Sequence, residues 1–137
     1  MSNKKALKAF TLLEILVVII IIGILAALSL IAYTSIKEQT LEKDAKANLK
    51  LIRSAEMVYK MESSTNSYIA CANTTAINTN LKLSLPTGTN RSWDYKVDST
   101  VATSFTAKAR RAVTPAPGTV WCITQAVEDP YTAGCAW

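Results

Sequence analysis

Apolar positions fill the first quarter of the chain almost without interruption, recur every three to four residues in the next stretch, and alternate in short runs thereafter. The first regime is "FTLLEILVVIIIIGILAALSLIAY", Phe10 to Tyr33, with Glu14 as its single charge. As helix it spans roughly 36 Å at about 1.5 Å per residue, enough to cross the hydrocarbon core of a bilayer. Lys4, Lys5 and Lys8 precede it, and a basic flank on that side fits a cytoplasmic N-terminus with the remainder exported.

The second regime, "TSIKEQTLEKDAKANLKLIRSAEMVYKMES", places Leu41, Ala45, Leu49, Ile52, Ala55 and Tyr59 at helical spacing. No glycine or proline interrupts Ile24 to Glu62, so one helix is expected to run from the apolar segment through this amphipathic one and to stop in "SSTNS". Glu42 with Lys46 and Glu56 with Lys60 have the acid-before-base spacing of four that supports an exposed helix face. The mixed charges read as a solvated face.

Beyond Ser63 the texture becomes rich in Thr, Asn and Ser. "SYIACANTTAINTNLKLSLPTGTNR" reads as a connecting loop with a short helical or extended piece near Leu81 to Leu85. "SWDYKVD" alternates, with Trp93, Tyr95 and Val97 on one face and Asp94, Lys96 and Asp98 on the other. "VATSFTAKAR" gives a second strand with Val101, Phe105, Ala107 and Ala109 inward, and after a turn at "TPAPG" the run "TVWCITQA" gives a third. The fold class is therefore α+β: a long N-terminal helix, half membrane-compatible and half amphipathic, packed on a small antiparallel sheet.

Composition narrows the chemistry. The chain has no histidine, which removes the commonest general base, the commonest metal ligand and every Ser-His or Cys-His pair. Neither a glycine-rich phosphate loop nor a metal motif is present, and no enzyme, cofactor or metal is expected. The net charge of +5 falls to +2 without the three leader lysines, so the basic excess is largely a flank signal. Cys71, Cys122 and Cys135 lack zinc-site spacing and suit an oxidising compartment with one disulfide, for which sequence permits three pairings.

Two ordinary readings compete for the apolar run. "ALS" at Ala27 to Ser29 resembles a signal-peptide cleavage site, but a signal peptide's apolar region is typically about 7–15 residues. A plain membrane anchor, the second reading, leaves Glu14 unexplained, and a carboxylate inside a membrane segment is a functional hypothesis in need of a partner. An α-amine made by cutting before Phe10 would lie one helical turn from it.

The basic leader, the small residue Ala9 and "FTLLEILVVIIIIGILAAL" closely resemble the N-terminal signature of type IV pilins and type II secretion pseudopilins. The resemblance implies a pilin-like fold and cleavage between Ala9 and Phe10 by a prepilin peptidase that also methylates the new Phe10 amine. It implies that Glu14 pairs with the amine of a neighbouring subunit during assembly, and it favours the Cys122–Cys135 pairing, which would hold the C-terminal segment and add about 3 kcal/mol by the chain-entropy model. Two features depart from the family pattern: Ala9 stands where glycine is usual, and Ile31 where many pilins have proline. Gly23 is read as a helix-packing position.

On this reading residues 1–9 are a leader removed on maturation, 10–33 a transmembrane and filament-core helix, 34–62 its amphipathic continuation, and 63–137 an exported domain. The implied function is a structural subunit of a type IV pilus, stored in the inner membrane as precursor and then polymerised by an assembly platform into an extracellular homo-oligomeric helical filament. A pseudopilin or minor pilin is the alternative within the family, and a membrane-anchored or secreted small disulfide-bonded binding protein the alternative outside it. A basic patch of Lys82, Arg91, Lys108, Arg110 and Arg111 beside aromatic residues is a weak nucleic-acid candidate, because those aromatics alternate like core residues. Glu128 and Asp129 offer too few oxygens for calcium and read as a turn before Pro130.

Overall fold

The computed structural model describes residues 10–101, 103–112 and 119–137. The element order is α1 (Leu12–Glu62), α2 (Thr74–Asn80), β1 (Trp93–Val101), β2 (Ser104–Arg111) and β3 (Trp121–Thr124). Helix α1 runs from Leu12 to Glu62, and between Ile24 and Glu62 no glycine or proline interrupts it. The chain divides within α1 into two compact units, one ending at Gln39 and one beginning at Thr40.

In the first unit the helix carries its apolar side chains outward: Leu12, Leu13, Ile15 to Ile22, Ile24, Leu25 and Leu28 are all exposed. None of its apolar window is buried within the molecule, which separates it from the core helix of a water-soluble domain. It is long and apolar enough to cross a membrane.

In the second unit α1 packs on a sheet of strand order β1-β2-β3, antiparallel throughout. Trp93 pairs with Arg111, Tyr95 with Ala109 and Val97 with Ala107, so the alternation in sequence becomes a single inward face. Ala45, Leu49 and Ile52 of α1 meet Trp93, Tyr95, Val97, Phe105, Ala107, Ala109 and Ile123 in one buried cluster. The Trp93 indole N–H donates to the Leu41 carbonyl at 2.9 Å, and the Tyr95 hydroxyl accepts from Asn48 at 2.9 Å, so both aromatic polar ends are satisfied on α1.

Three local readings are corrected. The connecting segment forms its helix at Thr74–Asn80 rather than near Leu81 to Leu85, because Asn73 caps it by accepting the Ala76 N–H at 2.9 Å. Leu81 instead ends that helix, Lys82 adopts a left-handed backbone with φ of 55°, and Asn78 clamps Leu85 through its N–H and its carbonyl. Val101 closes β1 instead of opening β2, after a register irregularity beyond Asp98. Glu56 is not on the solvated face: it is fully buried, and Lys60 lies over the Tyr68 ring at 4.7 Å. Lys46 likewise sits over Trp121, at 4.0 Å. The turn expected at Thr114 to Gly118 lies outside the described residues.

Cys122 and Cys135 form a disulfide with their Cα atoms 6.0 Å apart, and Cys71 is a buried free thiol. Cys122 and Tyr131 also exchange backbone hydrogen bonds of 2.8 and 2.9 Å, so the C-terminal loop is fastened twice at its base. Arg53 reaches from α1 to the Thr124 and Gln125 carbonyls at 3.2 Å each, and Lys50 meets Asp129 at 2.6 Å.

Candidate functional site

The start of α1 is built by Thr11. Its hydroxyl accepts the Glu14 N–H at 3.2 Å, and its carbonyl receives the Glu14 and Ile15 N–H groups at 3.1 and 3.3 Å. A Thr followed three positions later by Glu is the capping-box pattern, and the first half of that box is present here. Glu14 therefore occupies the first helical turn, where the partial positive charge of the helix end stabilises a carboxylate. Phe10 precedes the helix and is 75% exposed. Ala9 lies outside the described residues.

These positions dictate the local electrostatics of any chain that begins at Phe10. A new amine there adds a cation to the helix end that is already positive, next to backbone N–H groups that have no partner within the helix. A carboxylate offsets that charge, and in an apolar environment the two groups satisfy each other where either alone would be penalised by desolvation. The apolar side chains that follow Glu14 provide such an environment whenever helices or lipids surround them. Gly23 has nothing within 4 Å of where a Cβ would stand, so no neighbour inside the described structure uses its small size.

The second unit offers less that resembles a reactive site. Among the described residues, no group of three or more His, Cys, Asp or Glu side chains is placed to hold a metal ion. The carboxyl of exposed Asp129 is held below its ordinary value by the hydrogen bond and charge of Lys50.

Of the five cations considered as a basic patch, Lys82 is exposed just after α2, and the other four do not make one surface. Lys108 pairs with Asp98 at 2.7 Å and Arg110 with Asp94 at 3.7 Å, Arg91 also bonds Asp94, and Arg111 lies on the opposite face of the sheet over Trp93. The rings of Trp93, Tyr95 and Phe105 are buried in the core, which removes them as stacking platforms for bases. Partial burial works against the charge of Asp98, yet hydrogen bonds and charge from Lys108 and Lys96 hold its carboxyl below the ordinary value.

Sequence reasoning missed Glu56, Arg53 and Asn78. Glu56 was detectable: it stands four residues after Ile52 and three before Tyr59, on the buried stripe itself. Arg53 and Asn78 bond to carbonyls of residues distant in sequence or beyond a turn, for which no local signal exists.

A family model described as the prokaryotic N-terminal methylation motif matches residues 4–30. No curated protein and no solved structure matches the chain significantly. The matched stretch covers the basic leader, Ala9, Phe10, the capped first turn with Glu14 and most of the exposed apolar helix. The chain thus carries the prokaryotic N-terminal methylation motif, the signature of type IV pilins and pseudopilins, on an α+β fold of pilin-like form.

Proposed function

We propose that this protein is a structural subunit of a type IV pilus, made as a membrane-inserted precursor, cut between Ala9 and Phe10, methylated on the Phe10 amine and polymerised through its N-terminal helix. The observation that carries the reading is the methylation motif placed on a helix that exposes every apolar side chain of its described N-terminal half. Such a helix needs surroundings of its own kind, which are lipid before assembly and neighbouring helices after it.

In this scheme residues 1–9 are the leader, 10–33 the membrane and filament-core helix, 34–62 the stem of the exported domain, and 63–137 the rest of that domain. A prepilin peptidase, an assembly platform and further copies of the chain are its partners. Glu14 matches amine to carboxylate between adjacent subunits, and Gly23 lets two helices approach. The protein acts as a building unit, with no reaction of its own.

Intact mass and N-terminal sequencing of protein sheared from the cell surface test this directly. A chain that begins at methylated Phe10 in that fraction is the expected result. The same mature chain confined to the membrane, as short assemblies, would assign it to the pseudopilin or minor-pilin role. A chain beginning near Ala32 would mean an ordinary secreted protein and would remove the assembly role of Glu14.

A further inference from the structure

Glu56 is a buried carboxylate that the assembly reading does not use. Its side chain is 0% exposed, its Oε2 accepts the Ile69 N–H at 3.1 Å, and its Oε1 has no hydrogen-bond partner among the described residues. The cations nearest on α1 are engaged elsewhere: Arg53 on the Thr124 and Gln125 carbonyls, Lys60 over Tyr68. From the segment that follows α1, the Cys71 thiol is the titratable group coupled to Glu56, and burial together with the Glu56 charge pushes that thiol up. No ion pair links Glu56 to α2 or to the sheet among the described residues.

Among the described residues, the one hydrogen bond to the Glu56 side chain comes from a segment without regular structure. Residues 64–70 leave the end of α1 and are fastened at their far side by the paired backbone bonds of Cys71 and Val97, at 2.9 and 2.8 Å. Between those ends the segment is held by the Ile69 bond, by the Tyr68 ring against Phe105 with ring centres 4.8 Å apart and under Lys60, and by the packing of Tyr68 and Ile69 on the core. A charged carboxylate that accepts one N–H in a buried site is costly, and lifting this segment would take away the Ile69 N–H and let water hydrate the group instead.

We propose that Glu56 is a proton-controlled latch for residues 64–70: closing the segment over α1 takes up a proton on the carboxyl, and opening releases it. With the carboxyl neutral, the segment rests on the helix with Ile69 and Tyr68 in place. With the charge present, the closed form loses ground to an opened one in which the carboxylate is hydrated. Burial pushes the Glu56 pKa to about 7, only partly offset by the Ile69 N–H, so the response falls between acid and neutral pH. The latch lies outside the residues of the methylation motif.

The test is amide hydrogen exchange on the full chain in detergent micelles from pH 5 to 8, with rates corrected for their intrinsic pH dependence. Protection of the Ile69 amide is expected to fall about tenfold per pH unit between pH 5 and about 7 and then to level off. Glu56→Gln should flatten that dependence, whereas Cys71→Ser should leave it intact. In the unsubstituted protein the Glu56 side-chain carboxyl carbon, followed by NMR, should titrate near 7. Protection independent of pH, an unchanged slope in Glu56→Gln, a flattened slope in Cys71→Ser, or a carboxyl that titrates near its ordinary value of 4.5 would each overturn the latch.

Discussion

At the scale of single residues, burial decides what a side chain means more than its type does. Glu56 belongs to the same stripe as Leu49 and Ile52, and the acid-before-base spacing with Lys60 suggested a surface pair that the structure does not form. Its pKa in the folded chain is raised from 4.5 to about 7, so the unfolded chain loses its proton first as pH rises. Stability from this group is complete below about 4.5, falls through the interval to about 7 and is level above it. The total loss is up to about 3 kcal/mol, at about 1.4 kcal/mol per unit. Denaturant unfolding of the full chain in micelles should show this decline between pH 4.5 and 7, and Glu56→Gln should remove most of it. Ile52 is the apolar counterpart: fully buried and without a polar duty, it should cost about 2–5 kcal/mol when changed to Ala, read from the same unfolding curves.

At the scale of elements, the helix and the sheet were legible because their signals are local and periodic. Trp93, Tyr95 and Val97 alternate in sequence and face inward in the structure, and Phe105, Ala107 and Ala109 do the same on the neighbouring strand. The short helix α2 was misplaced because its cause is a single cap, Asn73, while the apolar Leu81 to Leu85 run drew attention to the wrong end. The C-terminal loop depends on non-local bonds: the Cys122–Cys135 disulfide, the Cys122–Tyr131 bridge, and Arg53 and Lys50 from α1. Replacing both Cys122 and Cys135 by Ser should lower stability by about 3 kcal/mol, because the open loop regains conformational freedom in the unfolded chain. Arg53→Ala should act additively with the disulfide change only if the two fasten the loop independently. A double-mutant cycle with a coupling beyond about 0.5 kcal/mol would show that they act as one clasp.

At the scale of the whole molecule, the apolar helix and the folded second unit make opposite demands on their surroundings, and Glu14 stands where the apolar helix begins. The Thr11 hydroxyl caps the Glu14 backbone N–H whatever side chain stands at 14, and the Glu14 side chain can add two separable contributions: the reciprocal hydrogen bond that would complete the capping box, and negative charge. Gln retains the first and removes the second; Ala removes both. If charge matching with a neighbouring Phe10 amine drives assembly, Glu14→Gln and Glu14→Ala should both be cut at Ala9–Phe10 and both fail to appear in the sheared surface fraction. If the residue serves only to start the helix, Glu14→Gln should assemble normally and Glu14→Ala should lose helix stability by about 0.3–1 kcal/mol, a deficit that a long helix tolerates. Immunoblots of membrane and sheared fractions, with N-terminal sequencing of each band, separate the two outcomes. Loss of cleavage in either variant would place Glu14 in peptidase recognition and leave its role in assembly without support. Filaments from Glu14→Gln at normal yield would assign the carboxylate to capping, and the driving force for subunit register would then have to come from the apolar helix alone.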